Sequence, residues 1–194
     1  MKKRQKIMKS LIFIDSDILF SFFALNKQKK ENFEKGGTTG DENLDVIIKL
    51  IKEIENKEQI ICLSEISILE ILCVLNRRNS ASKSPMILKK IYSISNIVPV
   101  DDLLYKLAWF IGSNYKLHTG DALHLSFCLM NDINELIVKD KEFYDASVEL
   151  KANFQEKGFE SLDNFFMGIS FVKSIPEKIK KKFSNLKYLR IRQI

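Results

Sequence analysis

The sequence predicts an α/β protein built on a mainly parallel sheet with helices on both faces. Short apolar runs that read as strands alternate along the chain with longer stretches of helical periodicity, and that alternation requires crossover connections between parallel strands. At 194 residues the chain can bury one sizeable core and is short for two. A hydrophobic fraction of 45% beside 29% charged residues excludes both a disordered chain and a membrane protein, and no apolar run approaches the length of a bilayer span.

Leu11 to Ile14 is a continuous apolar run ending at Asp15, the pattern of a buried strand that delivers a polar residue at its carboxyl end. Ile18 to Leu25 reads as helix. Lys27 to Asn43 is polar, holds Gly36, Gly37 and Gly40, and reads as a loop. Leu44, Ile47, Ile48, Ile51 and Ile54 recur at helical spacing, and Gln59 to Leu63 follows as a strand. Ser64 and Ser67 are candidate caps for the next helix. Its Ile68, Leu69, Ile71, Leu72 and Leu75 wrap most of the surface, so deep burial is expected. A helix around Met86 to Ser93 starts after Pro85, Asn96 to Val100 reads as a strand, and Asp102 to Tyr115 as a helix. Gly120-Asp121 opens a helix over Ala122 to Met130, and Glu135 to Val138 is a strand running into Asp140.

The net charge of +6 is unevenly placed. Residues 1–10 contribute +5 and residues 171–194 contribute +7, which leaves −6 on residues 11–170. An acidic body between basic ends suits a carboxylate cluster for metal with arms that meet an anionic partner, although solvated surface charge gives the same composition. Three cysteines, Cys62, Cys73 and Cys128, lie in apolar contexts without C-x-x-C spacing, so buried free thiols in a reducing compartment are expected. Asp15 and Asp17 interrupt the apolar run behind the basic amino end. They exclude a signal peptide and favour the cytoplasm.

Asp15, Glu70, Asp121 and Asp140 each stand where a predicted element begins, ends or turns. Ligands of open parallel sheets bind beyond the carboxyl ends of the strands, and four carboxylates gathered there would repel one another without a divalent cation between them. Each acid also has an ordinary alternative. Asp15 and Asp140 can cap helices, Ser67-x-x-Glu70 is a capping box, and Asp121 suits a helix dipole. His124, one turn after Asp121, is more often a satisfied core histidine than a base.

Ile12-Phe13-Ile14-Asp15-Ser16-Asp17-Ile18-Leu19, Ser64 to Leu72 with Glu70, Asp121-Ala122-Leu123-His124-Leu125-Ser126 and Ile137-Val138-Lys139-Asp140-Lys141-Glu142-Phe143 resemble, in order, the four motifs of PIN-domain ribonucleases, especially the VapC-type toxins. Position 17 is Asp where many relatives carry Asn. The resemblance spans roughly residues 11–145. It implies a PIN-like, doubly wound, five-stranded sheet and a magnesium- or manganese-dependent endoribonuclease acting on RNA. The acidic set falls on Asp15, Glu70, Asp121 and Asp140, as catalytic and metal-holding residues, with Ser16, Asp17 and Asp145 as candidate support. It also implies the toxin of a toxin–antitoxin pair, a covering antitoxin protein and a homodimer.

The expected organisation is a basic segment over 1–10, a PIN-like nuclease domain over 11–165 and a basic extension over 166–194. Lys139, Lys141 and the extension are candidates for holding phosphates, with Lys178, Lys180, Lys181 and Lys182 turned outward from a helix anchored by Phe183, Leu186 and Leu189. Two alternatives stand beside the nuclease reading. One is a PIN-like nucleic-acid-binding module without cleavage. The other is a haloacid-dehalogenase-type phosphatase, which also opens on a strand ending in Asp-x-Asp, but Leu19 stands where its small hydroxyl residue belongs.

Overall fold

The computed structural model describes residues 10–25, 27–157 and 177–194. Four strands follow the sequence reading: β1 (Leu11–Ile14), β2 (Ile60–Ser64), β3 (Ser95–Val98) and β4 (Glu135–Val138). A fifth, β5 (Arg190–Gln193), comes from the carboxyl terminus. All pairings are parallel, in the order β3-β2-β1-β4-β5. The chain therefore winds outward from β1 to β3, then returns to the other side of β1 for β4. That reversal opens a crevice beyond the carboxyl ends of β1 and β4, where Asp15 and Asp140 stand.

β1 is apolar at every position because both faces of the sheet are covered. Phe13 packs against His124 and Phe127 of α7 (Thr119–Met130), with ring centroids 5.0 and 5.6 Å away. Ile12 and Ile14 alternate to the opposite face. The helices are α1 (Ser16–Phe23), α2 (Lys27–Glu34), α3 (Glu42–Asn56), α4 (Glu65–Arg77), α5 (Ser84–Ile94), α6 (Asp102–Tyr115), α7, α8 (Lys141–Lys157) and α9 (Glu177–Phe183). Buried Ile47, Ile48, Ile51 and Ile54 form the apolar stripe of α3, whose amino end is closed by the Asp41 carboxylate accepting from the amides of Asn43 and Leu44. α7 is buried nearly all round, as befits the helix that carries the site through the core.

Four sequence expectations are corrected. Lys27–Glu34 is helical rather than loop, because its Lys, Gln and Glu residues favour helix and the glycines that break it cluster further on, with Gly36 and Gly40 at positive φ. α4 is not deeply buried: Ile68, Ile71 and Leu75 face the core, whereas Leu69 is 60% exposed. On the same helix Cys73 is exposed, while Cys62 and Cys128 are buried, and all three are free thiols.

The fourth correction concerns the basic tail. β5 pairs in parallel with β4, and Phe183, Leu186 and Leu189 are buried in the main core. Phe183 lies edge-on to Phe154 of α8, at 4.8 Å between centroids, and to Phe110 of α6 at 6.4 Å. Arg192 reaches Glu53 of α3 at 3.2 Å. The terminus thus completes the sheet, and a boundary near residue 165 would separate the domain from its own fifth strand. The residues flanking that boundary, the basic segment over residues 1–9 and the side chain of Lys178 lie outside the described residues.

Candidate active site

Asp15, Glu70, Asp121 and Asp140 line one cavity of about 250 Å³, together with Ser16 and Asp17. Each reaches it from a different element: Asp15 from the end of β1, Glu70 from α4, Asp121 from the first turn of α7, and Asp140 from the turn after β4. Val74, Arg77 and His124 complete the lining. A larger cavity of about 440 Å³ between α6 and α7, walled by Trp109, Leu117 and Leu123 with the hydroxyl residues Tyr105, Ser113 and Thr119, contains no acid.

The ordinary roles open to these acids are partly excluded by the geometry. Asp15 occupies the position before α1, but its side chain caps nothing. Its backbone amide instead donates to Ile137 O at 3.0 Å, locking the carboxyl end of β1 to β4. Helix α4 is capped by Ser64, whose hydroxyl accepts from the Ser67 amide at 3.1 Å, so Glu70 sits in the second turn and forms no capping box. It is drawn across to α7, where His124 Nε2 lies 2.7 Å from Glu70 Oε2. An ionised carboxylate only accepts, so Nε2 carries the proton. Nδ1 is then left buried without a partner among the described residues.

Asp140 does cap α8, accepting from the Phe143 amide through Oδ1 at 2.9 Å, and its second oxygen is left for the cavity. Ser16 Oγ lies 3.5 Å from Asp15 Oδ1. Asp145 is exposed on α8 and does not line the cavity. It stands two residues from Phe143, which is buried with Ser147 and Leu150, and so faces away from the core side of the helix.

Burial raises the pKa of Asp15 above the ordinary carboxylate range, against the pull of His124, with Asp17 and Glu70 adding repulsion. Asp121 is pushed up to about 6, first by burial, then by the charges of Asp15 and Asp140. A first-turn Asp held merely by the helix dipole would move downward. Glu70 goes the other way: burial is its largest influence and would raise it, but the hydrogen bond and charge of His124, helped by Ser16, hold it below the usual value.

His124 and Arg77 are the two lining residues that bear on chemistry and were not legible as such. His124 carried the signal of one helical turn from Asp121. Arg77 lies at i+7 from Glu70, the repeat of one helix face. Lys139, expected near the acids, instead lines a small cleft with Asn43, Val46, Ile47 and Ile194. Lys182, expected to project outward, is paired with Asp132.

A PIN domain family model matches residues 38–149, more than half of the chain and including Glu70, Asp121 and Asp140. Among solved structures the chain is similar to Mycobacterium tuberculosis VapC20, a Sarcin-Ricin loop cleaving toxin, with a TM-score of 0.50 and 14% identity over 70% of this chain and 94% of that one. It is also similar to a toxin–antitoxin complex from Klebsiella pneumoniae, with a TM-score of 0.42 and 20% identity over 68% of this chain and 89% of that one. No curated protein matches the sequence. The five-stranded parallel sheet and the family match agree, and the chain belongs to the PIN domain family.

Proposed function

We propose that this protein is a divalent-metal-dependent endoribonuclease, with Asp15, Glu70, Asp121 and Asp140 as its metal-holding residues and Ser16 and Asp17 in support. The observation that carries the reading is the convergence of these carboxylates on one cavity at the switch point of the sheet. Burial, with repulsion from Asp15 and Asp140 added to it, pushes Asp121 to about 6, and a cation would relieve that cost.

The donor set fits a hard cation. Carboxylate oxygens suit magnesium or manganese better than zinc, and no thiolate lines the cavity. Among the described residues no three such side chains are already closed into a ligand cluster. A bound divalent ion supplies acidification of water and compensation of phosphate charge. The protein's own part is orientation: His124 fixes Oε2 of Glu70, Gly120 leaves room beside Oε1, and the Phe143 amide fixes Oδ1 of Asp140.

RNA as the substrate is supported by family membership and by the fold shared with VapC20, a Sarcin-Ricin loop cleaving toxin. On the same basis the proposal extends to a toxin with a covering antitoxin protein and to a homodimer in the cytoplasm, where three free thiols persist. No helix among the described residues is long and apolar enough to cross a membrane.

The test is incubation of the full chain with a mixed-sequence RNA in magnesium or manganese, in chelator, and with a small phosphomonoester. Cleavage of RNA that needs the metal, with the ester untouched, is expected. Intact RNA would leave a binding module, and ester hydrolysis alone would favour the phosphatase reading.

A further inference from the structure

Resting on the nuclease reading, we infer that Arg77 binds an RNA phosphate flanking the scissile one, so that the substrate strand runs along α4. Glu70, Val74 and Arg77 follow one another at i, i+4 and i+7 on a single face of this helix, and all three line the acidic cavity. The step from Glu70 to Arg77 is about 10 Å along the axis, which sets the guanidinium beyond the carboxylates and toward the helix end. Arg77 is exposed there.

The neighbouring arginine shows that this placement is selective. Arg78 is engaged elsewhere: it lies over the Phe20 ring, 4.7 Å from its centroid, and does not line the acidic cavity. Arg77 is thus the one arginine or lysine among the lining residues, beside Asp15, Asp17, Glu70, Asp121 and Asp140. Such a pocket repels a nucleic-acid backbone on either side of any metal it holds. A planar guanidinium that engages phosphate oxygens through two N–H groups is the group that answers this repulsion, and it fixes register rather than sequence. Lys139, turned into its own cleft, does not offer this contact.

The experiment measures cleavage of a short RNA by the wild-type chain, Arg77→Gln, Arg77→Lys and, as a control outside the cavity, Lys90→Gln, across a salt series and a magnesium series. Arg77→Gln is expected to raise KM about tenfold, the effect of one charged hydrogen-bonded contact. It should flatten the salt dependence of KM by about 0.7, the share of one phosphate contact on a single strand. Arg77→Lys should keep the slope and recover part of the affinity. Lys90→Gln and the magnesium requirement should stay as in the wild type. An unchanged KM and salt slope in Arg77→Gln overturns the inference while leaving the nuclease intact. So does a loss that appears as a changed magnesium requirement at constant slope, since Arg77 would then act through the carboxylates. A wild-type chain that cuts no RNA overturns the nuclease reading and this inference together.

Discussion

His124 Nε2 and Glu70 Oε2 lie 2.7 Å apart, joining α7 to α4 across 54 residues of sequence. The histidine is buried and packed, with its ring tilted, against Phe13, and it holds a carboxylate that otherwise lines the open cavity. His124→Phe keeps the volume and the aromatic contact but removes the hydrogen bond. About 1 kcal/mol of stability should be lost, the low end of the range for an abandoned partner because 32% of the Glu70 side chain remains exposed. Cleavage should fall about 10- to 100-fold, as when an outer partner of a metal ligand is removed. Urea unfolding and initial rates check both figures, and a variant as active as the wild type contradicts the positioning role.

Gly120 lies against the same carboxylate. A Cβ at this position would stand 2.8 Å from Glu70 Oε1, and with Oε2 held by His124 the side chain has little room to yield. Alanine is otherwise the better residue within a helix, so Gly120→Ala should fold with near-normal stability while binding manganese more weakly. A calorimetric titration with manganese reads this directly. Unchanged affinity would mean that Glu70 moves freely.

The metal-free protein should be more stable at pH 5 than at pH 7.5. Asp121 is raised from 3.8 to about 6 on folding, so its protonated form favours the native state fully below 3.8, and that contribution is lost as pH rises through 6. Asp15 moves in the same direction. Glu70 is lowered from 4.5, and its contribution is lost only as pH falls below that value, outside the window. Thermal melts in chelator should show a Tm that falls from pH 5 to 7.5, a smaller fall in Asp121→Asn, and recovery of Tm at pH 7.5 on adding magnesium. A flat profile in the wild type contradicts the charge repulsion assigned to the cavity.

Removing residues 184–194 should unfold the domain rather than release an arm. Leu186 and Leu189 are buried, β5 pairs with β4, and Lys151 donates to the Leu189 carbonyl at 2.8 Å. Leu186→Ala alone should cost about 2–5 kcal/mol, as a truncation within a close-packed core. Chemical denaturation measures it, and a stable, soluble truncation would show that the tail is dispensable to the sheet.

What could be read beforehand was whatever a local pattern announces. β4 and α6 have the bounds that apolar run and periodicity predict, and Asp15, Asp121 and Asp140 were visible because each sits at an element's edge, whereas Glu70 lies one turn inside α4. β5 was hidden because Arg190-Ile191-Arg192-Gln193 is a polar edge strand, whose residues also fit a helical spacing with Phe183 and Leu186. α2 was hidden by its lack of an apolar stripe. Arg77 was hidden because an arginine late in a helix is ordinarily solvated, and only the packing of α4 against α1 and α7 brings it to the acids. The pairing of Glu70 with His124 joins two helices through tertiary packing, which local spacing does not encode.

The central claim is most directly tested by the RNA cleavage rate of Asp121→Asn in magnesium at pH 7.5, with circular dichroism on the same sample to establish folding. The substitution removes charge at nearly constant size from a residue whose pKa is pushed to about 6 by burial and then by Asp15 and Asp140. If Asp121 helps hold the cation, the folded variant should lose about 100-fold or more in rate, at least the upper effect of disturbing a ligand's outer partner. A folded Asp121→Asn that cleaves RNA at the wild-type rate would contradict the site.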